Sequence, residues 1–156
     1  MKRSAALIGL AFFALVASMS GAALASDMPT SESVTAWLKS YQAAWETRDA
    51  DKAAKLFTAD ATYQEDPYEK PFLGQKGIHD YWAGVTKDQS NIKFTSEVLA
   101  VTGPKGIAHW HAEFDRPSSG KHCKLDGIFV LEFSKDGLVK SLHEWWHYVE
   151  EDKAKP

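Results

Sequence analysis

The sequence predicts an α+β fold, and three observations carry that reading. Apolar residues recur at three- and four-residue spacing in segments between Val34 and Val85, the pattern of amphipathic helices. From Ile92 onward the pattern changes to alternation, in four long segments divided by G-P-K-G, P-S-S-G and S-K-D-G, which are turn sequences. Helices gathered ahead of a run of antiparallel strands indicate α+β.

Taken in order, residues 1–25 read as a secretory leader. Lys2 and Arg3 form its basic start, AALIGLAFFALVASM its apolar stretch and Ala23-Leu24-Ala25 its cleavage site, which leaves residues 26–156 as the domain. The apolar run is short for a membrane span of about 20 residues, so a periplasmic or secreted protein is expected. Ser31 or Ser33 is expected to cap a first helix with Val34, Trp37, Leu38, Tyr41 and Trp45 inward. Asp49 is expected to cap a second helix through Phe57, with Ala53, Leu56 and Phe57 inward. Residues 61–66 form a short strand that ends at Asp66–Pro67. Gly74 and Gly77 precede a third helix with Ile78, Tyr81, Trp82 and Val85 on one face. Strands follow at 92–102, 107–116, 122–133 and 138–149.

Alternation sorts the strand faces. If the D-G turn pairs Phe133 with Leu138, then Phe129 faces Leu142, Gly127 faces Glu144 and Leu125 faces Trp146. One face then reads Trp110, Ala112, Phe114, Cys123, Leu125, Gly127, Phe129, Leu131, Leu142, Glu144, Trp146 and Tyr148, apolar with one acid. The other carries His109, His111, Glu113, Asp115, His122, Lys124, Asp126, His143, Trp145 and His147. The helices should cover the first face.

The leader holds two of the 18 Lys and Arg residues and none of the 21 Asp and Glu, so residues 26–156 carry a net charge of −5. That excess argues against a general nucleic-acid binder, which needs a basic face. The single cysteine, Cys123, cannot form an internal disulfide. No membrane partner is expected once the leader is removed.

The chain resembles the nuclear transport factor 2-like superfamily, whose SnoaL-like and ketosteroid-isomerase-like members share a cone-shaped fold. The resemblance is carried by Tyr41 and Trp45, by R-D-A-D-K-A-A-K-L-F at 48–57, by D-A-T-Y-Q-E-D-P at 60–67, by G-x-x-x-I-x-x-Y-W at 74–82, and by F-S-K-D-G-L-V at 133–139 followed by H-E-W-W. It implies three N-terminal helices packed on a curved antiparallel sheet, and a homodimer formed through the outer sheet face. Its ketosteroid isomerases use an aspartate base and an oxyanion hole made by a tyrosine and a protonated aspartic acid. Tyr41 matches the tyrosine, Asp66 matches the base with one residue of slack, and Phe129 falls where the second acid belongs. A shared fold implies a shared cavity and not a shared reaction.

Three residues are therefore expected to carry acid/base chemistry: Asp66 as base, Tyr41 as hydrogen-bond donor and Glu144 as a second acid/base. A carboxyl near an apolar cavity has its ionised form destabilised, which moves its pKa toward a useful value. Tyr63, Trp82, Trp110, Phe129 and Trp146 are expected to wall a cavity for a small apolar or aromatic molecule. The alternative is a non-catalytic ligand-binding or dimerisation module. H-E-W-W-H at 143–147 matches the H-E-x-x-H zinc pattern, which requires a helix. On the expected strand His143 and His147 stand roughly 13 Å apart, too far to share one ion. No metal and no cofactor is expected.

Overall fold

The computed structural model describes residues 28–152, so the predicted leader lies outside the described residues. Helix α1 spans Ser31–Glu46 and helix α2 spans Ala50–Ala54. Strands β1 (Phe57–Gln64) and β2 (Phe72–Leu73) follow, then helix α3 (Gly74–Val85). Four long strands complete the chain: β3 (Ser90–Thr102), β4 (Lys105–Arg116), β5 (Lys121–Phe133) and β6 (Val139–Asp152). They form one six-stranded sheet in the order β2-β1-β6-β5-β4-β3. No described helix is long and apolar enough to cross a membrane.

Two expectations about the helices are corrected. The cap of α1 is Thr30, not Ser31 or Ser33. Its side chain accepts from the Ser33 N–H, and Ser33 Oγ accepts from the Thr30 N–H in a capping box. Asp49 caps α2 as expected, but the helix stops at Ala54 and Phe57 opens a strand. Tertiary demand overrides the local pattern there: the Leu56 carbonyl accepts from the Val139 N–H and from the Trp37 indole, tying the end of α2 to the sheet.

The sheet is mixed, where an antiparallel one was expected. β1 runs parallel to β6, with an irregular register between Phe57 and Thr62, and antiparallel to β2. The remaining pairs are antiparallel. The β5–β6 register also differs from expectation by two residues. Phe129 faces Glu144, Gly127 faces Trp146 and Leu125 faces Tyr148, because Phe133 pairs with Val139 and an extra residue is absorbed next to Glu132. A shift of two keeps every side chain on its face, whereas a shift of one would have reversed them all.

The core lies between the helices and the inner sheet face. Val34, Trp37, Leu38, Tyr41 and Trp45 from α1 meet Phe94, Trp110, Phe129, Leu131 and Leu142. Gly127 is required on this face. A Cβ there would lie 2.6 Å from the Trp145 carbonyl oxygen, 2.8 Å from Trp146 Cβ and 2.9 Å from Trp110 Cε2.

Candidate functional site

A cavity of about 520 Å³ opens between α1, α3 and the inner sheet face. Aromatic rings form most of its wall: Tyr41 and Trp45 from α1, Tyr63 from β1, Tyr81 and Trp82 from α3, and Trp110, Phe114, Trp146 and Tyr148 from the long strands. Among the described residues, its surface carries the carboxylates of Glu65, Asp88, Glu144 and Glu150, and Arg116 is its only cationic side chain.

Glu144 is the centre of the site. β6 alternation turns it inward beside Leu142, and it is only 5% exposed. Its Oε1 accepts from the Tyr63 hydroxyl at 3.0 Å, and the Tyr63 and Tyr41 hydroxyls are 2.9 Å apart. Burial pushes the Glu144 carboxyl up to about 8; the nearby Glu65 adds to the rise and the Tyr63 hydrogen bond opposes it. Burial beside Glu144 likewise raises the Tyr41 and Tyr63 hydroxyls well above the ordinary tyrosine range, so both stay protonated.

Glu65 is the second acid of the cavity. The Tyr81 hydroxyl donates to its Oε1. Burial raises its pKa, with Asp66 adding to the rise, while the Tyr81 hydrogen bond opposes it. At the mouth, Arg116 lies 5.3 Å from the Phe114 ring centroid, and the Tyr148 hydroxyl donates to Glu150 at 2.5 Å and sits 3.1 Å from Cys123 Sγ.

The structure brings most of the expected residues together. Tyr41, Glu144, Tyr63, Trp82, Trp110 and Trp146 all line the cavity. Two do not. Asp66 is exposed outside it, and its Oδ1 accepts the Tyr68 N–H at 2.8 Å in a turn. Alternation explains the displacement: Ala61 and Tyr63 face inward, so Glu65 shares their side and Asp66 points away. That parity was the available signal for Glu65, which the sequence reading missed. Phe129 is fully buried behind the wall, stacked on Trp110 (centroids 5.1 Å, planes 20°) and edge-on to Tyr41 (5.3 Å). In the β5–β6 register Phe129 stands directly opposite Glu144.

The outer face is different in kind. His111 lies opposite Asp126 in the β4–β5 register, and the Asp126 hydrogen bonds go to His109 Nε2 at 3.0 and 3.1 Å. His143 and His147 sit on strand β6, so the H-E-x-x-H match has no helical face on which to converge. Among the described residues no group of three His, Cys, Asp or Glu side chains is arranged to hold a metal ion.

Residues 38–142 match the family model of the SnoaL-like domain. The chain belongs to the SnoaL-like family. No curated protein matches it significantly. Among solved structures it is similar to the epoxide hydrolase/cyclase-like enzyme SalBIII of pyran ring formation in the polyether salinomycin, at 16% identity and TM-score 0.64, over 74% of this chain and 92% of that one. It is also similar to a hexachlorocyclohexane dehydrochlorinase (LinA, type 2), at 13% identity and TM-score 0.64, over 80% and 93% of the two chains. A third neighbour is a protein of ketosteroid-isomerase-like fold from Catenulispora acidiphila, at 15% identity and TM-score 0.61, over 70% and 83%. At these identities the likeness is one of fold.

Proposed function

We propose that this SnoaL-like protein is exported, binds a small apolar or aromatic molecule in its cavity, and catalyses cofactor-free proton transfer on it, of isomerase, cyclase or hydratase type. The observation that carries the reading is Glu144: a nearly buried carboxyl with no cationic partner, hydrogen-bonded to Tyr63, beside a second carboxyl in an aromatic cavity. Folding does not require such a group, and a bare ionised one costs several kcal/mol.

Two carboxyls in different environments divide the work. Glu144, the more deeply buried, is held protonated below about pH 8 and is the acid. Glu65, partly buried and supported by Tyr81, is the base. Each hydroxyl has a single proton to donate. With Glu144 ionised, Tyr63 donates to Glu144 and Tyr41 donates to Tyr63, leaving Tyr41 no proton for a ligand. With Glu144 protonated the chain can run the other way, Glu144 to Tyr63 to Tyr41, and the Tyr41 proton is free for the ligand. The activities named for the cyclase-like and dehydrochlorinase neighbours accord with proton-transfer chemistry on this fold. The exposed outer face, where Trp145 is 53% exposed beside the His109–Asp126 pair, is proposed to seat a second copy of the chain.

Deuterium exchange at the acidic C–H positions of 2-tetralone, a small aromatic ketone, tests the reading by proton NMR. The protein should accelerate exchange over buffer. Glu144→Gln or Glu65→Gln should lower that acceleration about 100-fold or more, and Asp66→Asn should leave it unchanged. A ketone that binds without accelerated exchange would favour the non-catalytic binding module.

A further inference from the structure

Resting on the reading of this cavity as a ligand site, we infer that its ligand carries an ammonium group on an apolar body, and that the open carboxyl oxygens of Glu65 and Glu144 receive it. The inference begins with those oxygens. Glu144 Oε1 accepts from the Tyr63 hydroxyl and Glu65 Oε1 from the Tyr81 hydroxyl. Neither Oε2 has a hydrogen-bond partner among the described residues. Neither is sealed by protein: the unpaired polar side-chain atoms closed off from solvent are Trp82 Nε1, Trp110 Nε1 and the Ser134 hydroxyl, with no carboxyl oxygen among them. Glu144 borders the cavity and is otherwise buried, so its Oε2 opens there, and Glu65 lies on the same wall.

The two carboxyls are held by neighbouring side chains. Tyr63 and Tyr81, whose hydroxyls meet them, stand with ring centroids 5.1 Å apart. The acids are close enough for Glu65 to disfavour the charge on Glu144. No cation acts on either one: burial, neighbouring acids and the tyrosine hydroxyls are what set their acidity. Over the whole wall, among the described residues, four carboxylates stand against one arginine. That arginine, Arg116, is held elsewhere, over the Phe114 ring and beside the Tyr148 hydroxyl.

An ionised carboxylate accepts hydrogen bonds and donates none, so its open oxygen calls for a donor. A neutral hydroxyl supplies the proton without the charge. An ammonium supplies both, and hydrogen bonds between charged partners are roughly twice as strong as neutral ones. It also gives two crowded acids the countercharge that the protein leaves out. An anion meets repulsion from the same acids. The rest of the wall is mostly aromatic, which suits an apolar body, and aromatic rings attract a cation placed over their faces. A small arylalkylamine combines these features.

A matched pair of probes tests this. 2-Phenylethylamine and 2-phenylethanol share size and shape, both donate a hydrogen bond, and only the amine is a cation at neutral pH. Isothermal titration calorimetry should show the amine binding about 10-fold or more tightly. Its charge favours the ionised form of Glu144, so amine binding at neutral pH should release part of a proton to the buffer, and the alcohol none. Glu144→Gln should abolish that release, and Glu144→Gln and Glu65→Gln should each shrink the preference. Equal or tighter binding of the alcohol would overturn the inference. So would a preference lost in Glu150→Gln and kept in Glu65→Gln, which would place the ammonium at the mouth. 2-Tetralone separates the inference from the reading beneath it. If the ketone binds and the amine does not, the inference alone falls; if none of the three binds, the cavity reading falls with it.

Discussion

The two faces of strands β5 and β6 carry similar residues and opposite electrostatics. On the inner face Glu144 lies with Glu65 against tyrosine hydroxyls and aromatic rings, and burial drives its carboxyl up to about 8. On the outer face Asp126 faces solvent beside His109, and its hydrogen bond raises the histidine, with Glu97 helping. The inner acid lacks a countercharge and keeps its proton. The outer acid has a histidine at hydrogen-bond distance and solvent around it. Alternation along a strand is enough to separate the two, because water screens one side and is excluded from the other. Residue type alone does not mark a catalytic carboxyl here; the side of the sheet does.

That contrast can be broken most severely by pH. The folded Glu144 binds its proton up to about 8, against an ordinary 4.5 in the unfolded chain. The folded state therefore holds more protons than the unfolded state between those values. Its contribution to stability is fully present below the unfolded pKa and is lost as pH rises toward 8, at up to about 1.4 kcal/mol per pH unit. Urea unfolding from pH 5 to 9 should show this decline, and Glu144→Gln should flatten it. An unchanged slope in the variant would assign the decline to other groups.

A smaller effect is expected at Gly127, on the inner face. Gly127→Ala should cost about 1–3 kcal/mol, because the new methyl collides with the Trp145 backbone and the Trp110 ring. Urea midpoints measure it, and a neutral result would mean that the sheet yields there. The least effect is expected outside: Asp126→Asn removes a solvated pair and should change stability by less than about 1 kcal/mol. Its trace should appear in the His109 titration, which moves back toward 6.5 by proton NMR. A large stability loss would show that the outer face is as tightly coupled as the inner one.

Much of this contrast was legible in the sequence. Alternation assigned Trp110, Phe114, Leu142 and Glu144 to one face and His109, His111 and Asp126 to the other. The assignment survived a two-residue register error because that error preserves parity. What the sequence hid depended on contacts distant along the chain. The pairing of β1 with β6 ends α2 before Phe57, and the extra residue next to Glu132 resets the register after the D-G turn. Aligning the E-D-P run by resemblance favoured Asp66, while strand parity from Tyr63 favoured Glu65, and the local geometry follows parity. Phe129 was expected on the cavity wall, but alternation gives a face and not a depth, and Trp110 covers it. The open oxygens of Glu65 and Glu144 could not be read at all, since a missing hydrogen bond has no sequence pattern.

Glu144 can serve as the cavity's acid only if it holds its proton at neutral pH. Side-chain carboxyl carbon-13 titration of the glutamates, with Glu144→Gln to assign the signal, measures it directly. The account predicts a midpoint near 8, well apart from the surface glutamates. A midpoint near the ordinary 4.5 would mean that Glu144 is ionised at neutral pH and would contradict its role as the cavity's acid.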